Sequence, residues 1–241
     1  MKIALFSDIH ANLPAFTAFL KDLDEKRPDA VYCLGDLVGY NIWPNEIIAE
    51  IRRRGIVTIA GNHDTKVKKK MTDTTGKNYA YHIITQQNQA YLRALPAHIR
   101  LEYKLDEGNC NILLVHGSPK SNEEYILADT DEHYIKALLY EFGADILVCA
   151  HSHKPYHRIL QASEKADLKH VINTGSVGKP KDGDVRGGYV LLTLKESGRL
   201  SVADSLQVEF VRFEYDVEKA AIGVEQSPLP DEFADRLRKA Y

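Results

Sequence analysis

Five apolar runs, each leading into an Asp, Asn or His, constrain this chain more than any other feature of it. Ile3-Ala4-Leu5-Phe6 leads to Asp8 and His10, and Val31-Tyr32-Cys33-Leu34 leads to Gly35-Asp36. Ile56-Val57-Thr58-Ile59-Ala60 leads to Gly61-Asn62-His63-Asp64. Ile112-Leu113-Leu114-Val115 leads to His116-Gly117, and Ile146-Leu147-Val148-Cys149 leads to His151-Ser152-His153. Short apolar runs bounded by turn residues read as buried strands. In open α/β sheets, ligands bind beyond the carboxyl ends of strands, so tips far apart in sequence converge on one site. Any single tip is explained as a turn: Gly-Asp is a common turn pair, and Asp-x-His is a turn with a capping carboxylate. Five tips carrying metal-ligand side chains together are not explained that way.

Helical patterns lie between these strands. Leu13, Phe16, Phe19, Leu20 and Leu23 fall on one face of a segment that follows Asn12, a good N-cap, with Pro14 near its start. Pro44 to Arg53 reads as a second helix, stopped by Gly55. From Thr65 to His98 the alternation breaks. A Lys-rich polar stretch is followed by a helix over about Tyr79 to Leu95, an insert placed to cap the site and set substrate range. Strands resume at Leu101 to Leu105 and at His170 to Ile172, with a helix over about Asp131 to Phe142 between them. Antiparallel-looking segments follow at Gly188 to Thr193, Ser201 to Asp204 and Gln207 to Phe213, and a helix over about Asp231 to Tyr241 comes last. Strands and helices alternating early, with strands clustering later, imply two packed sheets with helices outside, in one domain spanning 1–241.

Composition narrows the function. The 241 residues carry a net charge of −3, which argues against binding bulk nucleic acid. No apolar run approaches the ~18 residues a membrane-spanning helix needs, and Met1 to Phe6 reads directly into a strand rather than a secretion signal. Three scattered cysteines, Cys33, Cys110 and Cys149, make no disulfide framework, which suggests a reducing cytoplasm. Oligomeric state, including a homo-oligomer, is left open.

In their order, the five motifs resemble the calcineurin-like metallophosphoesterase superfamily, and within it a small prokaryotic phosphodiesterase-like branch. They read Ser7-Asp8-Ile9-His10, Gly35-Asp36-Leu37-Val38-Gly39-Tyr40, Gly61-Asn62-His63-Asp64, Val115-His116-Gly117-Ser118-Pro119 and Ala150-His151-Ser152-His153. Ala150 stands where the family often has Gly, and it lacks glycine's freedom at positive φ. The resemblance implies a four-layer αββα sandwich of two mixed sheets flanked by helices. It implies two metal sites: Asp8, His10, Asp36 and His153 at one, Asp36, Asn62, His116 and His151 at the other, with Asp36 bridging. His63 would act as general acid, with Asp64 orienting it. Two cations ~3.5–4 Å apart neutralise phosphoryl oxygens and turn a bridging water into the attacking hydroxide. Carboxylate, amide and imidazole ligands without thiolate fit divalent Mn, Fe, Zn, Ni or Co.

Members of this family that are protein phosphatases or dinucleoside tetraphosphatases carry an Arg soon after Gly-Asp to clamp phosphate. Leu37 to Pro44 contains none, which tilts the expected substrate towards phosphodiesters or nucleotide phosphoanhydrides, such as cyclic nucleotides or dinucleoside polyphosphates. A phosphomonoesterase of small metabolites is the alternative. A scaffold without turnover, as in the retromer subunit of this fold, fits poorly because His63 is present. Tyr40, Asn41 and Trp43 lie just past the bridging Asp36, where an aromatic side chain offers a nucleobase a stacking surface. The glycine-rich stretch Asn173 to Lys181, with Gly175 and Ser176, offers backbone amides to a phosphate. Lys66, Lys68, Lys69 and Lys70 form a basic cluster suited to attracting an anion. His82, His98, His133, His157 and His170 match no motif and read as structural or surface residues.

Overall fold

The computed structural model describes residues 1–67, 75–105, 108–161, 168–195 and 206–241. Lys68, Lys69 and Lys70 of the basic cluster, and the strand expected at Ser201 to Asp204, lie outside the described residues.

Two mixed five-stranded sheets form the centre. The first contains β1 (Lys2–Phe6), β2 (Ala30–Cys33) and β3 (Val57–Thr58), all parallel, with β9 (Gly187–Leu194) antiparallel beside β1 and β10 (Leu206–Phe213) antiparallel beside β9. The second runs β4 (His98–Leu105), β5 (Gly108–Val115), β6 (Ile146–Cys149), β8 (Leu168–Asn173) and β7 (Tyr156–Gln161), with β5, β6 and β8 parallel.

Strand side chains alternate between faces, and here both faces are covered. Ile3 and Leu5 of β1 point between the sheets, against Ile112, Leu114, Ile146, Val148 and Ile172 of the second sheet. Ala4 and Phe6 point the other way, against Phe16, Phe19 and Leu20 of α1 (Leu13–Lys26) and Ile47, Ile48 and Ile51 of α2 (Pro44–Arg54). Leu113, Val115, Leu147 and Cys149 cover the far side of the second sheet with Ile135, Leu138 and Leu139 of α6 (Glu132–Glu141). This is the expected four-layer αββα arrangement, and it explains why the strands read as continuous apolar runs rather than alternating ones.

Local signals set the element ends. The Asn12 side chain accepts a hydrogen bond from Ala15 N and caps α1, and Gly55 stops α2 in a left-handed conformation at φ 65°. The helix expected over Tyr79 to Leu95 is instead broken into α4 (Tyr79–His82) and α5 (Gln86–Ala94). Thr85 adopts an extended backbone and its hydroxyl caps α5 by accepting from Asn88 N, which ends the first helix before it can continue. The third strand is shorter than the apolar run 56–60 suggests, and its tip starts a short helix, α3 (Asn62–Lys66). The edge strand β7 and the helix α7 (Val217–Glu225) go beyond the sequence reading. β7 is half polar, and α7 is rich in Ala and carries Gly223, against which Trp43 packs. Cys33, Cys110 and Cys149 are all buried and unpaired. Among the described residues, no helix is long and apolar enough to cross a membrane.

Candidate metal centre

The carboxyl ends of β1, β2, β3, β5 and β6 meet at one end of the sandwich. The loops after β1 and β2 run side by side, with Asp8 N donating to Gly35 O (3.0 Å), His10 N to Asp36 O (3.0 Å) and Ala11 N to Leu37 O (2.8 Å). In the second sheet, Ala150 N donates to His116 O at 2.8 Å, which ties the tips of β5 and β6 together. Among the described residues, the non-glycine positions with left-handed backbone are Asp8, His10, Ala11, Asp36, Tyr40, His151 and His153, apart from Arg27 and Ala240, which cap helices. Each costs on the order of 1 kcal/mol. Strain of this kind collects where surrounding structure must aim side chains at a site. Ala150 is not among them, so its departure from Gly is free of strain; the left-handed turns fall on His151 and His153 instead.

Two glycines of the motifs are fixed by close approach. A methyl group on Gly61 would overlap the Asp36 carboxylate, and one on Gly39 (φ 92°) would lie 2.6 Å from Nδ1 of His63.

The seven expected ligand residues are buried and face one another. His10 Nδ1 lies 3.0 Å from Val38 O, His116 Nδ1 lies 2.8 Å from Leu34 O, and His153 Nδ1 meets Lys179 O. A ring nitrogen beside a carbonyl oxygen must carry a proton, so all three rings turn Nε2, the nitrogen left for a metal, inward, as metal-ligating histidines do. His10 Nε2 is 3.6 Å from Asp8 Oδ1 and 3.6 Å from Asp36 Oδ2. His116 Nε2 is 3.4 Å from Asp36 Oδ2 and 3.2 Å from Asn62 Oδ1, and His153 Nε2 is 3.2 Å from Asp8 Oδ1. His10 Nε2 and His153 Nε2 lie 3.2 Å apart. Asp8 Oδ1 and Asp36 Oδ2 are buried and have no hydrogen-bond partner. Orphaned carboxylate oxygens surrounded by inward-facing imidazoles fit divalent cations, which would satisfy every one of these lone pairs.

The seven expected ligands supply two groups, and a third, His10, Asp36 and His63, brings its atoms equally close together. Asp8, His10 and His153 bring theirs within 4.8 Å of one another, and so do Asp36, His116 and His151. Asp36 Oδ2 stands between His10 and His116 and so faces both groups. Without metal, the electrostatics are those of a crowded cluster. Burial acts to raise the Asp36 carboxyl, but His116 and His63 outweigh it and hold Asp36 well below the usual carboxylate range. Burial acts to lower His116, yet Asp36 prevails and pushes it up to about 9.

His63 stands beside this cluster, its ring centre 4.9 Å from that of His10. Its Nδ1 is hydrogen-bonded to the hydroxyl of Tyr81, from α4 in the insert. This corrects the expectation that Asp64 orients His63. Asp64 is fully buried, and its carboxylate accepts from Asp36 N (2.7 Å), Leu37 N (3.0 Å) and Gly61 N (2.9 Å). It binds the second motif to the third and so positions Asp36.

Other expected contacts also change. Asn41 is buried and its Nδ2 donates to His10 O at 2.9 Å, which braces the first motif. Ser176 Oγ donates to Asp8 O (2.8 Å) and accepts from Lys179 N (2.8 Å). Gly175 N donates to Asn173 Oδ1, Val177 N to Ser7 O and Gly178 N to Asp8 O. The glycine-rich stretch therefore spends these amides on its own turn and on holding Ser7 and Asp8 rather than on phosphate. Trp43 packs on α7 instead of reaching the site, whereas Tyr40 does reach it, with ring centres 4.8 Å from both His10 and His63. His157 Nε2 lies 3.0 Å from His170 Nδ1, a pair on β7 and β8 separate from the metal ligands.

Four residues around the ligand cluster are not singled out by the sequence. Tyr81 carries no motif. Phe233, from α8 (Glu232–Lys239), looks like any apolar helix residue and packs edge-on to Tyr40 at 5.0 Å. Tyr125 stacks on His151 at 4.2 Å. Lys179 is 1 % exposed, and its Nζ has no hydrogen-bond partner and lies 4.6 Å from the centre of the Tyr40 ring. Burial pushes Lys179 down to about 7.

An αββα sandwich with paired Asp/His groups at its strand tips defines a metallophosphoesterase. The chain belongs to the calcineurin-like phosphoesterase superfamily, whose domain model matches residues 1–197. It is 32% identical over 253 residues to the uncharacterized protein MJ0912 of Methanocaldococcus jannaschii, covering 98% of this chain and 96% of that one. It is similar in structure to a metallophosphoesterase from Sphaerobacter thermophilus, with a TM-score of 0.78 and 25% identity over 100% of this chain and 99% of the other. Hypothetical protein PH1004 from Pyrococcus horikoshii shares the fold, with a TM-score of 0.79 and 23% identity over 100% and 98% of the two chains.

Proposed function

We propose that this chain hydrolyses phosphodiesters or nucleotide phosphoanhydrides at a dinuclear metal centre. The observation that carries the reading is the orphaned Asp36 Oδ2, placed 3.6 Å from His10 Nε2 and 3.4 Å from His116 Nε2 so that one carboxylate serves two ligand groups. Asp8, His10, Asp36 and His153 would hold one ion, and Asp36, Asn62, His116 and His151 the other. Bound divalent ions neutralise phosphoryl oxygens and acidify water.

The remaining work falls to the protein. Left-handed backbone and the second hydrogen bonds of the imidazoles hold Asp8, His10, Asp36, His116, His151 and His153 in place before substrate arrives. Tyr81 engages Nδ1 of His63 and leaves Nε2 as the nitrogen that faces the leaving oxygen. Burial pushes His63 down to about 3. An anionic phosphoryl group beside the ring acts in the opposite direction and favours the protonated form, which then donates its proton to the leaving oxygen.

The missing Arg after Gly-Asp supports a diester over a dianionic monoester. A monoesterase reading draws its support from Lys179 and from Lys181, a partly buried lysine whose charge interacts with Asp8 and Asp36. Purified, metal-defined protein assayed against matched aryl mono- and diesters, cyclic nucleotides and dinucleoside polyphosphates decides between them. The expected result is a higher kcat/KM for diesters or anhydrides. A consistent preference for monoesters across several leaving groups contradicts the proposal.

A further inference from the structure

A cavity of about 280 Å³ opens beside His63. Tyr40, Tyr81 and Phe233 line it with aromatic surface, and Lys66, Lys77 and Asn78 complete the lining. Lys66 and Lys77 are exposed, and among the described residues the lining contains no carboxylate. The walls come from three separate parts of the chain: the loop after β2, the insert, and α8.

The position of this cavity gives it a role. A leaving oxygen that takes its proton from His63 lies within hydrogen-bond reach of that ring. The rest of the leaving group therefore extends into the space that His63 lines. Small-molecule sites typically span ~300–1,000 Å³, so this one suits a single ring-bearing fragment rather than a whole dinucleotide. Aromatic walls favour a flat ring, because stacking is indifferent to the identity of the base. Two lysines without a carboxylate favour a second negative charge on the same fragment.

We propose that this cavity is the leaving-group pocket and that it takes a nucleoside bearing its own phosphate. This rests on reading the site as a phosphoesterase centre. In the step it serves, a P–O bond forms to water, the P–O bond to the nucleotide's sugar oxygen breaks, and that oxygen takes a proton from His63. The released nucleoside monophosphate is held by its ring against Tyr40, Tyr81 and Phe233 and by its phosphate at Lys66 and Lys77.

Titration calorimetry on the metal-loaded full chain tests this with three probes: adenosine 5′-monophosphate, adenosine and ribose 5-phosphate. The monophosphate should bind about tenfold more tightly than ribose 5-phosphate, from stacking, and about tenfold more tightly than adenosine, from two partly screened ion pairs. The double variant K66Q/K77Q, altered only at exposed side chains, should remove the advantage over adenosine and keep the advantage over ribose 5-phosphate. Equal binding of ribose 5-phosphate and the monophosphate would overturn the proposal, because the metals alone would then hold the phosphate. An unchanged monophosphate-to-adenosine ratio in the variant, or no binding by any probe, overturns it too. Hydrolysis of bis(p-nitrophenyl) phosphate is measured in parallel. No turnover with the binding pattern intact sinks the phosphoesterase reading and leaves the pocket; turnover with a flat binding pattern sinks the pocket alone.

Discussion

The ligand cluster and the wall beside it are built in opposite ways. The ligands come from strand tips tied to one another by backbone hydrogen bonds, and Asp8, His10, Asp36, His151 and His153 sit on left-handed turns that leave little freedom. The wall around His63 comes from helices α4 and α8, packed through side chains such as Ala80, Phe233, Ala234 and Leu237. The difference suggests a division of labour. A rigid centre determines that phosphorus chemistry happens, and a replaceable wall determines to what. Changes at the centre should abolish the reaction for every substrate, whereas changes in the wall should alter rates selectively.

The largest effect belongs to Asp36. Asp36→Asn weakens both ligand groups at once and should lower kcat/KM by about 10⁴-fold or more, because a metal pair supplies several kcal/mol of stabilisation. Steady-state kinetics with metal analysis checks it. A loss no greater than that of Asn62→Ala, which touches one group, would break the bridging assignment. Next is His63→Ala. It should keep its metals and lose ~10²–10⁴-fold on alkyl esters, with a visibly smaller loss on nitrophenyl esters, whose leaving group departs without a proton. An equal deficit across graded leaving groups at full metal occupancy counts against proton donation.

Tyr81→Phe sharpens the comparison, since it changes the wall and not the centre. Losing the hydroxyl that holds His63 should cost ~10–100-fold in kcat, the usual scale for an orienting partner, at unchanged metal content. A fall in metal content would instead place Tyr81 in the centre's own support. Asp64→Ala makes the contrasting change. It strips three buried backbone N–H groups of their acceptor, at ~1–3 kcal/mol each. Thermal unfolding should drop by roughly 6–36 °C in consequence, at ~2–4 °C per kcal/mol for a chain of this size. An unchanged melting temperature would remove Asp64 from its assigned role.

The last effect concerns protons and metal affinity rather than rate. His116, held up to about 9 by Asp36 against its burial, is protonated in the metal-free protein at neutral pH. A metal must displace that proton, so affinity should rise with pH and level off above about 9, with at most ~tenfold change per pH unit from this group. Calorimetry in buffers of different ionisation enthalpy measures the proton release. Affinity independent of pH from 6 to 9 contradicts it.

The same contrast separates what the sequence shows from what it hides. Asp8, Asp36 and His116 follow directly on apolar strands, and strand ends are marked locally by the switch from Ile, Val and Leu to Gly, Asp and His. Contacts made through side chains leave no such mark. Tyr81 reaches His63 from 18 residues further along the chain, and Phe233 reaches Tyr40 from a helix whose apolar face looks like ordinary packing. Asp64 was legible as part of a motif, but its partner was misassigned, because adjacency to His63 in sequence says nothing about where a carboxylate at the start of a helix points. The break at Thr85 was hidden for a related reason: a single capping hydroxyl ends one helix and begins another inside a continuous helical pattern.

The most direct test of the central claim is the metal-to-protein ratio, measured by elemental analysis as metal-free chain is titrated with Mn and assayed at each step on a phosphodiester. The account predicts two ions per chain, with hydrolysis rising to its plateau only as the second is taken up. Full hydrolysis by chelated protein, or a plateau reached at one ion per chain, would contradict it.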